Sequence, residues 1–212
     1  SYAYRGISND PMWVGYFKQA GIEQVPENGF GATPLTKYRR HVLMLHPHTV
    51  IVYDELEASE AVRWEWLLHS PTEFKIDATK KTLSTNNKTK GLVAVTQLFG
   101  GHVFTLSQTD RCVVPPTITG TEYPNQWHLT ARVDGCSATR FLAIIQVGDE
   151  AVPIINRDGD TFNVGDWTIK AVLDASKAPE LAVSHRTEQA VFSYGTDNPA
   201  LNGNFYSRQY TG

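Results

Sequence analysis

Residues 37–70, KYRRHVLMLHPHTVIVYDELEASEAVRWEWLLHS, decide the fold, because apolar side chains recur in them at every second position. Arg40, Val42 and Met44 share one side of the run and His41, Leu43 and Leu45 the other, the alternation that a pleated strand imposes. His46-Pro47-His48 interrupts it. Proline has no amide hydrogen and a fixed φ, so the spacing predicts a turn here and a returning strand through Thr49, Val50, Ile51, Val52 and Tyr53. Asp54-Glu55 is expected to end that strand. Glu57-Ala58-Ser59-Glu60 is expected to link it to a third strand, in which Val62, Trp64, Trp66 and Leu68 lie opposite Arg63, Glu65, Leu67 and His69.

Further strands are predicted over residues 73–77, 82–85, 91–98 and 102–107, the last two joined by a tight turn at Phe99-Gly100-Gly101. Residues 127–133 and 138–147 read as a hairpin around Asp134-Gly135, and residues 161–173 as another around Gly165-Asp166. Residues 181–185 and 190–194 complete the set, and the Asn- and Gly-rich tail after Tyr194 is expected to be loop. Short strands with turn signals every eight to twelve residues indicate an all-β chain, an antiparallel two-layer β-sandwich with a small sheet at its carboxyl end. Residues 1–36 are rich in turn signals. Within them residues 11–20 are predicted to form a short helix, capped by Asp10 and opened by Pro11. The expected organisation is an irregular lead-in from an upstream domain over 1–36, a β-sandwich over 37–175, and terminal strands and tail over 176–212. No internal repeat marks a propeller or solenoid.

The chain has 212 residues, enough for one substantial core, with 41% hydrophobic and 19% charged residues and a net charge of −3. That balance offers no bulk attraction to a polyanion and argues against a nucleic-acid partner. Lys37-Tyr38-Arg39-Arg40 and Lys80-Lys81 are the only basic clusters, and both read as solvated strand ends. No apolar run approaches a membrane span, and no basic-then-apolar start resembles a signal peptide. Cys112 and Cys136 are compatible with a disulfide or with two buried thiols. P-loop, nucleophile-elbow, H-E-x-x-H and dinucleotide motifs are absent from the sequence, which removes the common nucleotide-binding and hydrolase classes.

The ordered series of an R-R-H strand, VIVYDELEAS and WEWLLHS resembles the central sandwich of the heparinase II/III-like polysaccharide lyases. Gln126-Trp127-His128-Leu129-Thr130-Ala131 and Arg140-Phe141-Leu142-Ala143-Ile144-Ile145-Gln146-Val147 resemble later strands of the same family, so the likeness spans most of residues 1–175. It implies a supersandwich-like fold, a periplasmic or extracellular location, and an acidic polysaccharide as partner. Lyases of this kind neutralise a uronate carboxylate, remove the C5 proton and protonate the leaving oxygen. The family's base and acid lie on an amino-terminal α/α-toroid and on a sandwich segment bearing H-x-H-x-D-x-G-x-F, D-S-G and H-N-T, a segment that also ligates a structural zinc in some members. None of these elements precedes Lys37. The resemblance therefore implies a carboxyl-terminal β portion, without its own catalytic residues, cofactor or metal, whose first partner is the upstream part of the same polypeptide.

Three residues are candidates for contact with substrate. His69 ends the WEWLLHS strand opposite the tryptophans and is placed either toward a cleft or as a satisfied interfacial histidine. Trp127 and Trp13 lie in polar surroundings that suit stacking on sugar rings, whereas Trp64 and Trp66 share a face with Val62 and Leu68 and are expected in the core. His46-Pro47-His48 mimics an H-x-H pair but lacks the following Asp and Gly, and a solvated turn fits it better than a metal site. A free-standing carbohydrate-binding module is the competing reading. Glycan binding by the isolated chain separates the two.

Overall fold

The computed structural model describes residues 11–23, 34–77, 82–87, 92–111, 117–118, 121–122, 124–148, 155–187, 191–196 and 201–202. A helix, α1 (Pro11–Gln19), stands at the predicted position, and the remaining described elements are strands. β1 (Leu35–Leu45) and β2 (Thr49–Ser70) pair antiparallel around a turn at residues 46–48 that contains a cis His46-Pro47 bond. Residues equidistant from Pro47 face each other, so that Val42 meets Val52 and Arg40 meets Asp54. Leu43 and Leu45 are buried while Val42 and Met44 are exposed, as the alternation requires.

β2 departs from the expected pair of strands. Asp54-Glu55 does not end it, because both carboxylates find cations in mid-strand: Arg40 on Asp54, and Lys37 beside Glu55. The strand runs 22 residues and is kinked rather than ended at the polar segment, where its register against β9 (Trp127–Gly148) shifts between Glu57 and Val62. Twelve residues of straight strand span roughly 40 Å. Trp66 Nε1 nonetheless donates to Asp54 Oδ2 at 3.1 Å, so the second half of β2 folds back over the first. β9 follows the same course. Asp134-Gly135 is not a hairpin tip but a bend within one strand, with Gly135 at a φ of 71° supplying the left-handed residue.

β3 (Lys75–Asp77), β4 (Thr82–Asn87) and β5 (Leu92–Gly100) extend the large sheet in the order β1-β2-β9-β5-β4-β3, and β6 (Thr105–Thr109) joins β9 separately. The turn expected at residues 99–101 does not form a hairpin: β5 pairs with residues 141–148 of β9 and β6 with residues 128–132. The chain crosses between those two halves at Gly101. A Cβ there would lie 2.1 Å from the Leu173 carbonyl oxygen, so the crossing point presses directly on the backbone that follows β12 (Trp167–Ala171). β7 (Thr117–Ile118) and β8 (Thr121–Glu122) form a separate ribbon.

The second sheet contains β10 (Ile155–Asp158), β11 (Thr161–Val164), β12 (Trp167–Ala171), β13 (Leu181–His185), β14 (Val191–Tyr194) and β15 (Leu201–Asn202), each pairing antiparallel with the next. The hairpin at Gly165-Asp166 is as predicted. Part of the tail expected to be loop pairs instead, because Leu201 and Asn202 meet Phe192 and Val191. Two cores hold the layers. Leu43, Leu45, Ile51, Tyr53, Phe99, Leu142 and Ile144 of the large sheet pack on Phe162, Val164, Ile169, Leu181 and Val183 of the second. On the opposite face, Trp64 and Trp66 pack with Leu98, Phe141 and Ala143, so a flap made of the second half of β2, the first half of β9 and β6 covers that side. Each fully buried side chain of this kind contributes about 1.5–3 kcal/mol relative to exposure.

Candidate functional site

Three groups of side chains have the chemistry of a site. The first lies where β1, β2 and β14 meet. Glu55 is 1% exposed; Lys37 Nζ approaches its Oε2 to 2.8 Å, an ion-pair contact, and His41 Nε2 lies 3.7 Å from its Oε1. Burial disfavours the charged form, but the Lys37 ammonium and the nearby His41 and Tyr194 outweigh it and hold the Glu55 carboxyl at about 2. The Tyr194 ring lies 4.3 Å from that of His41, and Arg39 donates to its hydroxyl. Beside this cluster Arg140, 5% exposed, donates to the carbonyls of Val172, Asp174 and Lys177 at 3.1, 2.9 and 2.7 Å. Tyr53 donates to the Val172 carbonyl at 2.8 Å, and burial pushes its phenol pKa up.

An imidazole, a phenol and a carboxylate are thus together, the groups that proton transfer uses. Glu55 is already paired with Lys37 and the Tyr194 hydroxyl accepts from Arg39, and neither of the two hollows described below is lined by His41 or Tyr194. The arrangement ties the edge strand to the second sheet.

Two hollows lie at the kinks. One of about 210 Å³ is bordered by Thr36, Glu55, Ala58, Thr139 and Arg140. The other, about 660 Å³, is shallow and polar, with Glu60, His102, Cys136, Asp174 and Ser176 on its walls. His102 Nδ1 lies 3.3 Å from the Thr139 hydroxyl. Asp174 accepts from the Ser176 hydroxyl and amide, which lowers its pKa. Cys136 is a free, half-buried thiol whose pKa burial raises. Its sequence neighbour in the disulfide question, Cys112, lies outside the described residues.

The third group is the outer face of the flap. His69 is exposed there, opposite His128 in register, with ring centres 4.4 Å apart. Arg63 and Arg132 flank Asp134 on the same face. Trp127 follows Ser70 in register and turns inward, half-buried against Phe74, Leu83 and Leu129. It therefore projects from the face opposite His69, and the two do not share one site. Trp13 lies in α1, and its side chain is outside the described set. Trp64 and Trp66 are in the core, as their spacing required. His46 and His48 are exposed in the turn, where Trp167 Nε1 donates to the His46 carbonyl. Among the described residues, no group of three or more His, Cys, Asp or Glu is placed to hold a metal ion, and no described helix is long and apolar enough to cross a membrane.

Sequence reading missed the Lys37, His41 and Glu55 cluster and the His128 partner of His69. The first was recoverable: folding the chain about Pro47 sets Lys37 opposite Glu57, Arg39 opposite Glu55 and Arg40 opposite Asp54. The second depended on pairing between strands distant in sequence.

No family model matches the chain, and no curated protein matches it. The architecture is an antiparallel β-sandwich with a folded-back flap, and its fold is similar to that of a solved structure. The chain is similar to heparinase III, the BT4657 gene product in its methylated-lysine form, with a TM-score of 0.51 and 15% identity. That match covers 78% of this chain and 24% of that one. A second structure of the same gene product gives a TM-score of 0.49 at 15% identity, over 75% and 24% of the two chains. The heparan sulfate lyase HepC from Pedobacter heparinus gives 0.47 at 17% identity, over 74% and 24%. The chain thus has the fold of part of a heparinase III and spans about a quarter of its length.

Proposed function

We propose that this chain is the carboxyl-terminal β-sandwich part of a heparinase II/III-like polysaccharide lyase, exported to the periplasm or beyond, that cleaves uronic-acid-containing glycans by β-elimination. The observation that carries the reading is the heparinase III fold over 78% of the chain, joined to a sequence that bears the family's strand motifs and lacks its catalytic ones. In this reading the proton-transfer groups sit on an upstream toroid and sandwich segment. The role of the present residues is to hold that partner in place.

A surface suited to such packing is the outer side of β1. Tyr38, Val42 and Met44 are 52%, 61% and 67% exposed on one strand face, next to the half-buried Val50 and Val52 of β2. An apolar row of this kind is costly in water and gains from being covered. His69 is the proposed substrate contact on the flap, with Trp13 as a further candidate; Trp127 could touch a sugar only from the opposite face.

The test is to supply the intact polypeptide with a panel of uronic-acid glycans and follow the absorbance of the unsaturated uronate product. Product from at least one glycan is expected, and His69→Ala is expected to lower kcat/KM by more than about tenfold. An intact polypeptide that is inert on every such glycan removes the reading. An unchanged kcat/KM in His69→Ala removes the role of that residue alone.

A further inference from the structure

The chain has seven histidines, and two of them meet across a pair of strands on an open face. His69 of β2 and His128 of β9 are register partners, with ring centres 4.4 Å apart and planes tilted by 31°. The strands fix both Cα positions, so little chain entropy is left to lose when the rings share a ligand. Imidazole nitrogens bound to one tetrahedral ion at roughly 2.0–2.1 Å place the two ring centres about 5 Å apart. The observed separation of 4.4 Å is close to that value. Thr109 of β6 is the next residue along the same row, Leu67 and Thr130 form the row two positions along each strand, and Glu65 and Arg132 the row after that.

We infer that His69 and His128 form an open two-histidine site for a divalent transition-metal ion. Imidazole is a ligand of borderline softness, which selects Zn2+, Ni2+ or Cu2+ over Mg2+ or Ca2+. The ion takes one nitrogen lone pair from each ring and keeps water in its remaining positions, since among the described residues no third His, Cys, Asp or Glu completes a cluster. The site is distinct from the turn histidines His46 and His48, which Pro47 separates and which lie at the far end of β2.

Zn2+ titrated into the 212-residue chain tests this, read by calorimetry and by the histidine ring signals in NMR. The ring signals of His69 and His128 are expected to move together, ahead of those of the other histidines. His69→Gln and His128→Gln are each expected to weaken binding about a hundredfold, because the second ring acts at high effective concentration. The double variant His46→Gln with His48→Gln is expected to bind as the wild type does. The inference is overturned if the two ring signals do not move together, or if either single variant binds Zn2+ as tightly as the wild type. The wild-type spectrum decides the matter even where a variant does not fold.

Discussion

Glu55 is buried in the middle of a strand, where a lone carboxylate is expensive unless cations and donors surround it. Lys37 and His41 do so, and the Glu55→Gln variant leaves them facing a neutral amide. That change is expected to cost about 3 kcal/mol in urea unfolding at neutral pH. The linkage to pH has a definite sign. The carboxyl falls from 4.5 to about 2 on folding, so its contribution is complete above pH 4.5 and is lost as the pH drops toward 2. The stability gap between wild type and Glu55→Gln should therefore close over that window, and curves that stay parallel would contradict the assignment. The charged pairs around Pro47 were legible in the sequence once the turn was recognised. That Tyr194 joins them was not, because it arrives from another sheet 155 residues after Arg39.

The kink in β2 is held by different bonds at its two tryptophans. Trp66 donates to the Asp54 carboxylate, itself clasped by Arg40 at 2.6 and 2.8 Å, whereas Trp64 donates to the neutral Cys136 carbonyl at 3.0 Å. Hydrogen bonds to charged groups contribute about 1.5–3 kcal/mol and neutral ones about 1. Trp66→Phe, which keeps an aromatic ring, is expected to destabilise more than Trp64→Phe when their urea midpoints are compared. The reverse order would mean that the fold-back does not depend on Asp54. The positions of β1, α1 and the Gly165-Asp166 hairpin follow from local alternation and turn chemistry, so the sequence was sufficient for them. The kinks were misread as strand ends because polar residues and Asp-Gly favour a turn locally. Pairing of β2 with β9 on both sides of the kink keeps the strands continuous.

The large sheet and the segment that connects β12 to β13 meet at a seam where backbone meets backbone. At Gly101 a methyl group would collide with the Leu173 carbonyl, while at Gly135 it would meet nothing within 4 Å and would suffer only the strain of a φ of 71°. Gly101→Ala is expected to cost on the order of 3 kcal/mol through overpacking, and Gly135→Ala about 1 kcal/mol. Thermal unfolding of the two variants ranks them, and a milder effect at Gly101 would mean that the sheets are not clamped there. The sandwich class was legible from strand number and spacing. The topology, with β5 and β6 both on β9, was not, since nothing local to residues 92–109 encodes a partner strand about twenty or more residues further on. The placement of His69 and Trp127 on opposite faces follows from the same long-range pairing.

At the level of the whole molecule, the proposed role of this sandwich is to support eliminative chemistry performed by groups elsewhere on the polypeptide. The most direct measurement is the absorbance of unsaturated uronate when the isolated 212-residue chain meets a panel of heparan sulfate and other uronic-acid glycans. No rise is the predicted result, and steady product formation by this chain alone would contradict it.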